Sequence, residues 1–459
     1  MSTSLDLDPP SPAVEKFLIA SAESPVPRAI SPSSRRTSLF GSLFSYDNSL
    51  CQGVVSLADQ AVASGTNFIT GVILARTCSK EELGLYALGF SLILLMTDFQ
   101  TNLITTPYMV YAPRLNAQAH ALYTGSTLIH QLTFCVLTML GVAGGAIVVT
   151  HGVGPRGLGP VLWALSPVIA LIMLREHARR VSFARLRIMT AFLFDTSIAI
   201  GQIIGLALLA HFRLLSASRA FWVIGSVCAI AVLGWLWSDR QCYRPRFSES
   251  LADLKTNWAF GKWVFASGLV VAVGMNLYPW LLAAFKGAAS TAVWAACLGV
   301  ASVGNPAVLG IQNLIGPKIA HVYAEAGPEA LRRLVFKASL VIALVMSLLF
   351  VLMFKWGGSL VALLYGSQYA GHGLIVTIIA ANVLVLTTAF PFTRALYAIE
   401  RADLDFFGNL IAIFIMVTVG LWFVRVWGLF GAAVVLLGSS LVTSAAKVGA
   451  YLRLPSRTS

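Results

Sequence analysis

The sequence predicts an all-α polytopic membrane protein: about 12 transmembrane helices in two six-helix parallel repeats around a central cavity. Three observations predict it. The 459 residues are 57% hydrophobic and only 11% charged, with a mean hydropathy of +0.79. Soluble domains are about 25% charged and do not carry this much apolar surface. Apolar runs near the roughly 20 residues that a spanning helix needs fall near 53–75, 84–112, 123–149, 159–175, 188–210, 220–238, 263–284, 291–315, 334–355, 373–393, 407–424 and 429–446. Small polar motifs also recur six spans apart, at separations of 209 to 212 residues.

Those motifs define the repeat. "GTNF" at 65–68 in the first span is echoed by "GMNL" at 274–277 in the seventh. "QTNLITTP" at 100–107 in the second is echoed by "QNLIGP" at 312–317 in the eighth, and "VYA" follows each, at 110–112 and 322–324. An even number of spans per repeat gives both copies the same orientation, as in folds whose repeat axis lies along the membrane normal. The expected organisation is a disordered cytoplasmic tail over 1–38, an N-terminal bundle over 39–237, a cytoplasmic linker over 238–262, a C-terminal bundle over 263–447 and a cytoplasmic tail over 448–459.

The tail is rich in Ser, Pro and charge, the composition of a segment that cannot bury a core, and no secretory signal is read in it. Leu39, Phe40, Leu43 and Phe44 then share a helical face, which predicts an in-plane segment before the first span. Leu251, Leu254 and Trp258 make a similar stripe in the linker before the seventh. With cytoplasmic termini, 24 Lys and Arg fall on the cytoplasmic side and 8 on the other, so the net charge of +13 reads as membrane topology and not as nucleic-acid binding. The expected location is a bacterial cytoplasmic (inner) membrane. Six scattered cysteines with no Cys/His cluster support neither a disulfide framework nor a metal site, and no cofactor is expected.

Chemistry is sought where polar groups enter apolar runs. A carboxylate in hydrocarbon costs at least ~2.5 kcal/mol, so it faces a cavity or a partner. Within the predicted spans Asp59, Asp98 and Asp195 meet this description, all in the cytoplasmic half of the membrane and all in the first repeat. They are the ion-coupling candidates, for H+ or Na+. Thr66, Asn67, Asn102, Gln202, Asn305 and Gln312 fall at helical spacing around them and are the cavity-lining candidates; interhelical hydrogen bonding is the alternative role for any one amide. His130 reads as a packing residue. Lys80 to Arg114 is too long for one straight span, and Pro107 predicts a bend there; Pro317 and Pro391 are the corresponding candidates in the second half. Arg76 and Arg394, at span ends, are candidates for an anionic head group. Catalysis is not expected, because the external loops carry only scattered acids and histidines.

"ADQAVASGTNFITGVILARTCSKEELGLYAL" (58–88), "LYGSQYAG" (364–371) and "RALYAIERADLDFFGN" (394–409) resemble the Wzx-type oligosaccharide and polysaccharide flippases of the MOP superfamily, which also holds the multidrug and toxin exporters (MATE) and the lipid II flippases. The resemblance implies a V-shaped cavity that opens alternately to each side. The implied substrate is a polyprenyl-pyrophosphate-linked oligosaccharide, a lipid-linked precursor of surface polysaccharide, moved with an ion and alongside other polysaccharide-assembly proteins. A MATE-like multidrug or metabolite exporter of the same fold is the alternative.

Overall fold

The computed structural model describes residues 39–112, 115–185, 187–240, 243–244, 247–399 and 401–453. The predicted tail at 1–38 and the end of the chain at 454–459 lie outside the described residues, as do the side chains of 39–53. The described residues from 54 onward form one compact unit. Every described regular element is a helix.

The first half runs α1 (Leu39–Thr77), α2 (Lys80–Gln100), a π-helical turn (Thr101–Thr105), α3 (Thr106–Tyr111), α4 (Ala117–Thr150), α5 (Leu158–Ala184), α6 (Ile188–His211) and α7 (Ala217–Asp239). The second runs α8 (Phe247–Lys286), α9 (Ala288–Ala301), α10 (Asn305–Tyr365), α11 (Gly373–Ala398), α12 (Ala402–Ile415), a second π turn (Met416–Gly420) and α13 (Leu421–Arg453). Among the described residues nine helical stretches are long and apolar enough to cross a membrane. The sequence separates the last spans where the structure joins them. α10 carries the end of span eight and all of span nine across Gly327 (φ 73°, ψ −172°), and α13 carries the end of span eleven and all of span twelve across Gly428 (φ 59°, ψ −127°). Both breaks need positive φ, which glycine adopts without a Cβ clash. At the second, a Cβ on Gly431 would collide with the carbonyl of Phe423, so the chain folds back tightly there.

The starts of α2, α4 and α7 are capped by Ser79, Asn116 and Ser216, whose side chains accept from backbone N–H groups three residues on. Glu82 in the first turn of α2 also accepts the N–H of Ala217, placing an anion at the N-terminus of α7. The outer faces are apolar at helical spacing, as with Leu340, Leu344 and Leu348, while Thr70, Gln100, Thr124 and Gln131 are fully buried. That inversion of the soluble pattern suits lipid.

The proline expectations resolve differently. Pro107 widens its helix rather than breaking it: the N–H of Thr106 reaches back five residues to Thr101 O, and the Thr105 hydroxyl donates to Gln100 O at 3.2 Å. α10 passes through residue 317 as helix and breaks only at Gly327; α11 passes through Pro391. The side chain of Pro317 lies outside the described residues. The linker stripe is present, with Leu251, Leu254 and Trp258 exposed. Its helix is continuous with span seven, and its opposite face docks on α4 through Tyr123 Oη to Asn257 Oδ1 at 2.8 Å and His130 Nε2 to Ser250 at 2.8 and 3.0 Å. His130 is thus a satisfied packing residue.

Candidate functional site

Two of the three candidate acids meet, and they meet around arginines that the sequence reading puts in a loop. α5 does not stop near residue 175 but continues to Ala184, which carries Arg175, Glu176, Arg179 and Arg180 into the bundle on successive turns. Arg175 Nη2 and Nε reach Asp195 Oδ1 at 2.7 and 3.2 Å. Arg179 spans both acids: its Nη2 and Nε lie 2.6 and 3.2 Å from Asp59 Oδ2, and Nε is 2.7 Å from Asp195 Oδ2. Glu176 holds the far side, 2.8 Å from Arg180 and 3.4 Å from Arg179. Three carboxylates and three guanidiniums balance. Asp59 and Asp195 are at most 1% exposed, and burial of this kind is tolerated only when each charge is paired.

A second rung joins the same two helices. Gln202, seven residues beyond Asp195 on α6, donates to Thr70 Oγ1 of α1 at 2.9 Å, with both side chains buried. Thr66 bonds its own helix, at Val62 O, 2.7 Å away. Gln202 and Thr66 therefore tie and fill the bundle, whereas Asn67 is exposed and unbonded among the described residues.

Asp98 stands apart from the clamp. It is exposed, and among the described residues it has no hydrogen-bond or ion-pair partner. Two residues on, Gln100 points into the first-half core and donates to Met173 O of α5 at 3.0 Å. At 3.6 residues per turn, Asp98 lies about 200° from it. Asn102 returns to the Asp98 face and lies directly over Gly268 of α8, where a Cβ would collide with its amide. The unpartnered carboxylate therefore occupies the face of α2 that looks toward the second half.

α2 changes character along this face. Toward its Lys80 end it is enclosed, with Leu83, Leu85, Tyr86, Leu88, Ser91 and Ile93 all buried. Toward Tyr111, Leu94 and Met109 join Asp98 as exposed. α9 is buried through Val300 and Ala301, and Val303, in the turn just beyond it, is exposed. At the Lys80 end α2 packs tightly on the second half, where a Cβ on Gly84 would collide with the carbonyl of Ala288.

The second half has a charge centre that the sequence reading does not find. A span boundary at 407 leaves Asp405 in a loop, but α12 begins at Ala402 and Asp405 is 4% exposed. Asp405 accepts from Tyr397 Oη at 2.6 Å and Asn409 Nδ2 at 3.2 Å, and Lys447 Nζ of α13 lies 2.6 Å away. Lys447 also donates to Asn409 Oδ1 at 2.9 Å. Its aliphatic stem runs against Gly408, where a Cβ would come within 2.9 Å of Cε. A carboxylate is therefore buried in each half.

The remaining candidates are dispersed. Arg76 is bonded to backbone carbonyls of α10 rather than free for a head group. Arg394 is exposed and stacks over Phe390 and Tyr397, 4.8 and 5.7 Å from their centroids. Gln312 is half-buried, and the side chain of Asn305 lies outside the described residues. Among the described residues no group of His, Cys, Asp and Glu could hold a metal ion.

Neither a protein-family model nor a curated protein matches the chain. Solved structures do. An inward-facing multidrug resistance MATE family transporter of the MOP superfamily matches with a TM-score of 0.69 over 86% of this chain and 93% of that one, at 15% identity. A MOP superfamily transporter from Pyrococcus furiosus, described by the reverse polarity of its binding pocket, matches at 0.61 over 87% and 92%, with 12% identity. An outward-facing MATE family transporter matches at 0.59 over 87% and 95%, also with 12% identity. The likeness shows the fold: this is a multi-pass, all-helical membrane protein with the architecture of the MATE and MOP superfamily transporters.

Proposed function

We propose that the chain is a secondary transporter working by alternating access, and that it exports a small cationic solute in the manner of a MATE-like exporter. The observation that carries the reading is Asp98: exposed, without a hydrogen-bond or ion-pair partner among the described residues, and on the face of its helix that looks toward the second half. A carboxylate at that depth with no partner needs water, so an aqueous cleft reaches it from the Tyr111 end. The excess of Lys and Arg in the loops on that side makes it the cytoplasmic side. Asp98 then takes solute and coupling ion (H+ or Na+) in turn. Asp59 and Asp195 hold the arginine pair.

The lipid-linked oligosaccharide that the sequence resemblance implies asks for uncompensated cations facing its pyrophosphate. The cations inside the described bundles, Arg175, Arg179 and Lys447, each have a carboxylate partner. A cationic substrate fits this charge arrangement better. Equilibrium binding to the purified protein distinguishes the two readings. Tetraphenylphosphonium should bind and be lost in Asp98→Asn, while a polyprenyl-pyrophosphate sugar should not bind. Binding of the pyrophosphate sugar alone would overturn the assignment.

A further inference from the structure

The sealed end of the cleft is closed by an unusual exchange of helix caps. The last four carbonyls of an α-helix have no partner within it. α10 ends at Tyr365, which leaves the carbonyls of Leu363 and Leu364 among those orphans, and both accept from one side chain of the other half. Arg76, in the last turn of α1, donates through Nε to Leu364 O at 2.7 Å and through Nη2 to Leu363 O. α1 ends at Thr77, and the orphan carbonyl of Ala75 accepts from Gln368 Nε2, three residues past the end of α10, at 2.8 Å. Each helix end is capped by the other half, and Arg76 also sets a cation at the negative end of α10.

Aromatic groups fill the space between these caps. Tyr365 meets Phe68 edge to face at 6.1 Å, and its hydroxyl lies over Gly299, where a Cβ would collide with it. Lys80 lies 5.5 Å from the Tyr369 ring centroid. One helical step in, Trp280 Nε1 donates to Ser91 Oγ at 2.9 Å. Leu74 and Ala75 are completely buried under this layer.

We propose that Arg76 and Gln368 form the latch of the external gate, the pair of contacts that must release before the cleft opens outward. The inference rests on the alternating-access reading. Its geometry lies wholly between the two halves, at the end of the bundle away from Asp98, so on the alternating-access reading the contacts belong to this state and not to the folding of either half. Arg76 is thus a positioning residue for the transport cycle and not a ligand for substrate.

The test is cysteine accessibility in the full-length protein, reconstituted in lipid. Ala75→Cys, in a Cys78→Ser background, places a small thiol under the latch, and a membrane-impermeant maleimide reports when that end opens. Labelling should be slow with the latch intact. Arg76→Gln combined with Gln368→Ala should raise its rate about tenfold, the change that ~1.4 kcal/mol in the opening equilibrium brings. Gln368→Ala alone should raise it less, and Arg76→Lys should restore only part of the closure, since one ammonium does not reproduce the guanidinium fork. Thr77→Cys, exposed in the closed state, should label equally throughout and guards against misfolding. Labelling of Ala75→Cys that proceeds at one rate in all latch variants overturns the latch and leaves the transporter reading standing. No labelling under any condition, with Thr77→Cys reacting normally, overturns both.

Discussion

Each half of the fold holds a buried charge centre, and the two are built from different cations. In the first half two arginines hold two aspartates, with Arg179 touching both Asp59 and Asp195. In the second, one lysine meets one aspartate, and Tyr397 and Asn409 complete the set. The two turns ahead of these centres match. Arg187 (φ −87°, ψ 58°) and Arg401 (φ −109°, ψ 48°) each precede a helix, and their N–H groups reach back five residues to Ser182 O and Leu396 O at 2.9 and 2.8 Å. Setting Arg187 on Arg401 places Asp195 on Asn409, Ala191 on Asp405, Arg175 on Ala389 and Arg179 on Thr393. The second half therefore has an amide at the position of Asp195 and its acid one helical turn earlier, while its cation comes from α13 instead of the helix before the turn. The lesson is that a repeat can preserve backbone geometry while its charge chemistry drifts. A guanidinium does not deprotonate and spans two acids; an ammonium is a single point charge.

The largest effect that can break this comparison is removal of Arg179. Arg179→Met leaves Asp59 without its cation and Asp195 with one of two, and should cost about 3–5 kcal/mol, as breaking a buried pair does. Thermal unfolding in detergent reads it. Arg179→Lys should recover less than half of the loss, and full recovery would mean that the clamp needs only a charge. Lys447→Met should cost less, about 1–3 kcal/mol, because Tyr397 and Asn409 still satisfy Asp405. Equal losses in the two halves would erase the distinction drawn here.

The smallest effect lies at the sealed end, away from both centres. Burial, and then the nearby Lys80, push the pKa of His372 below its ordinary value of 6.5. The folded protein therefore binds this proton less readily than the unfolded chain. The stability associated with neutral His372 is present above pH 6.5 and declines as the pH falls below it. His372→Gln should flatten that acid-side decline slightly in unfolding measurements between pH 7 and 5. A variant whose pH profile superposes on the parent's would remove His372 from the account.

Much of the fold is legible in the sequence because hydrocarbon imposes it: twenty-residue apolar runs must be helical, and their polar interruptions must be buried or wet. Asp59 and Asp195 are found by that rule. Their partners are missed because Arg175 and Arg179 follow the last apolar residue of span four, and an apolar window ends there. The signal was available in their spacing of four, which continues one helical face. Asp405 is missed in the same way, although Asp405 and Asn409 are also four apart at the start of a span. Proline and glycine exchange roles for a physical reason. A membrane helix can absorb a proline by widening one turn, as at Pro107, but a reversal such as Gly428 needs a positive φ. What no single helix encodes is the exchange of caps between α1 and α10, since Arg76 and Gln368 each look like an ordinary span end.

On the proposed reading Asp98, and not the arginine-held pair, is the charge that meets the transported cation. Tetraphenylphosphonium binding to Asp98→Asn and to Asp59→Asn, measured side by side on folded protein, tests it most directly. Asp98→Asn should weaken binding at least tenfold, about 1.4 kcal/mol, while Asp59→Asn should lose stability and keep its affinity. Unchanged affinity in Asp98→Asn, or loss of affinity only in Asp59→Asn, would contradict it.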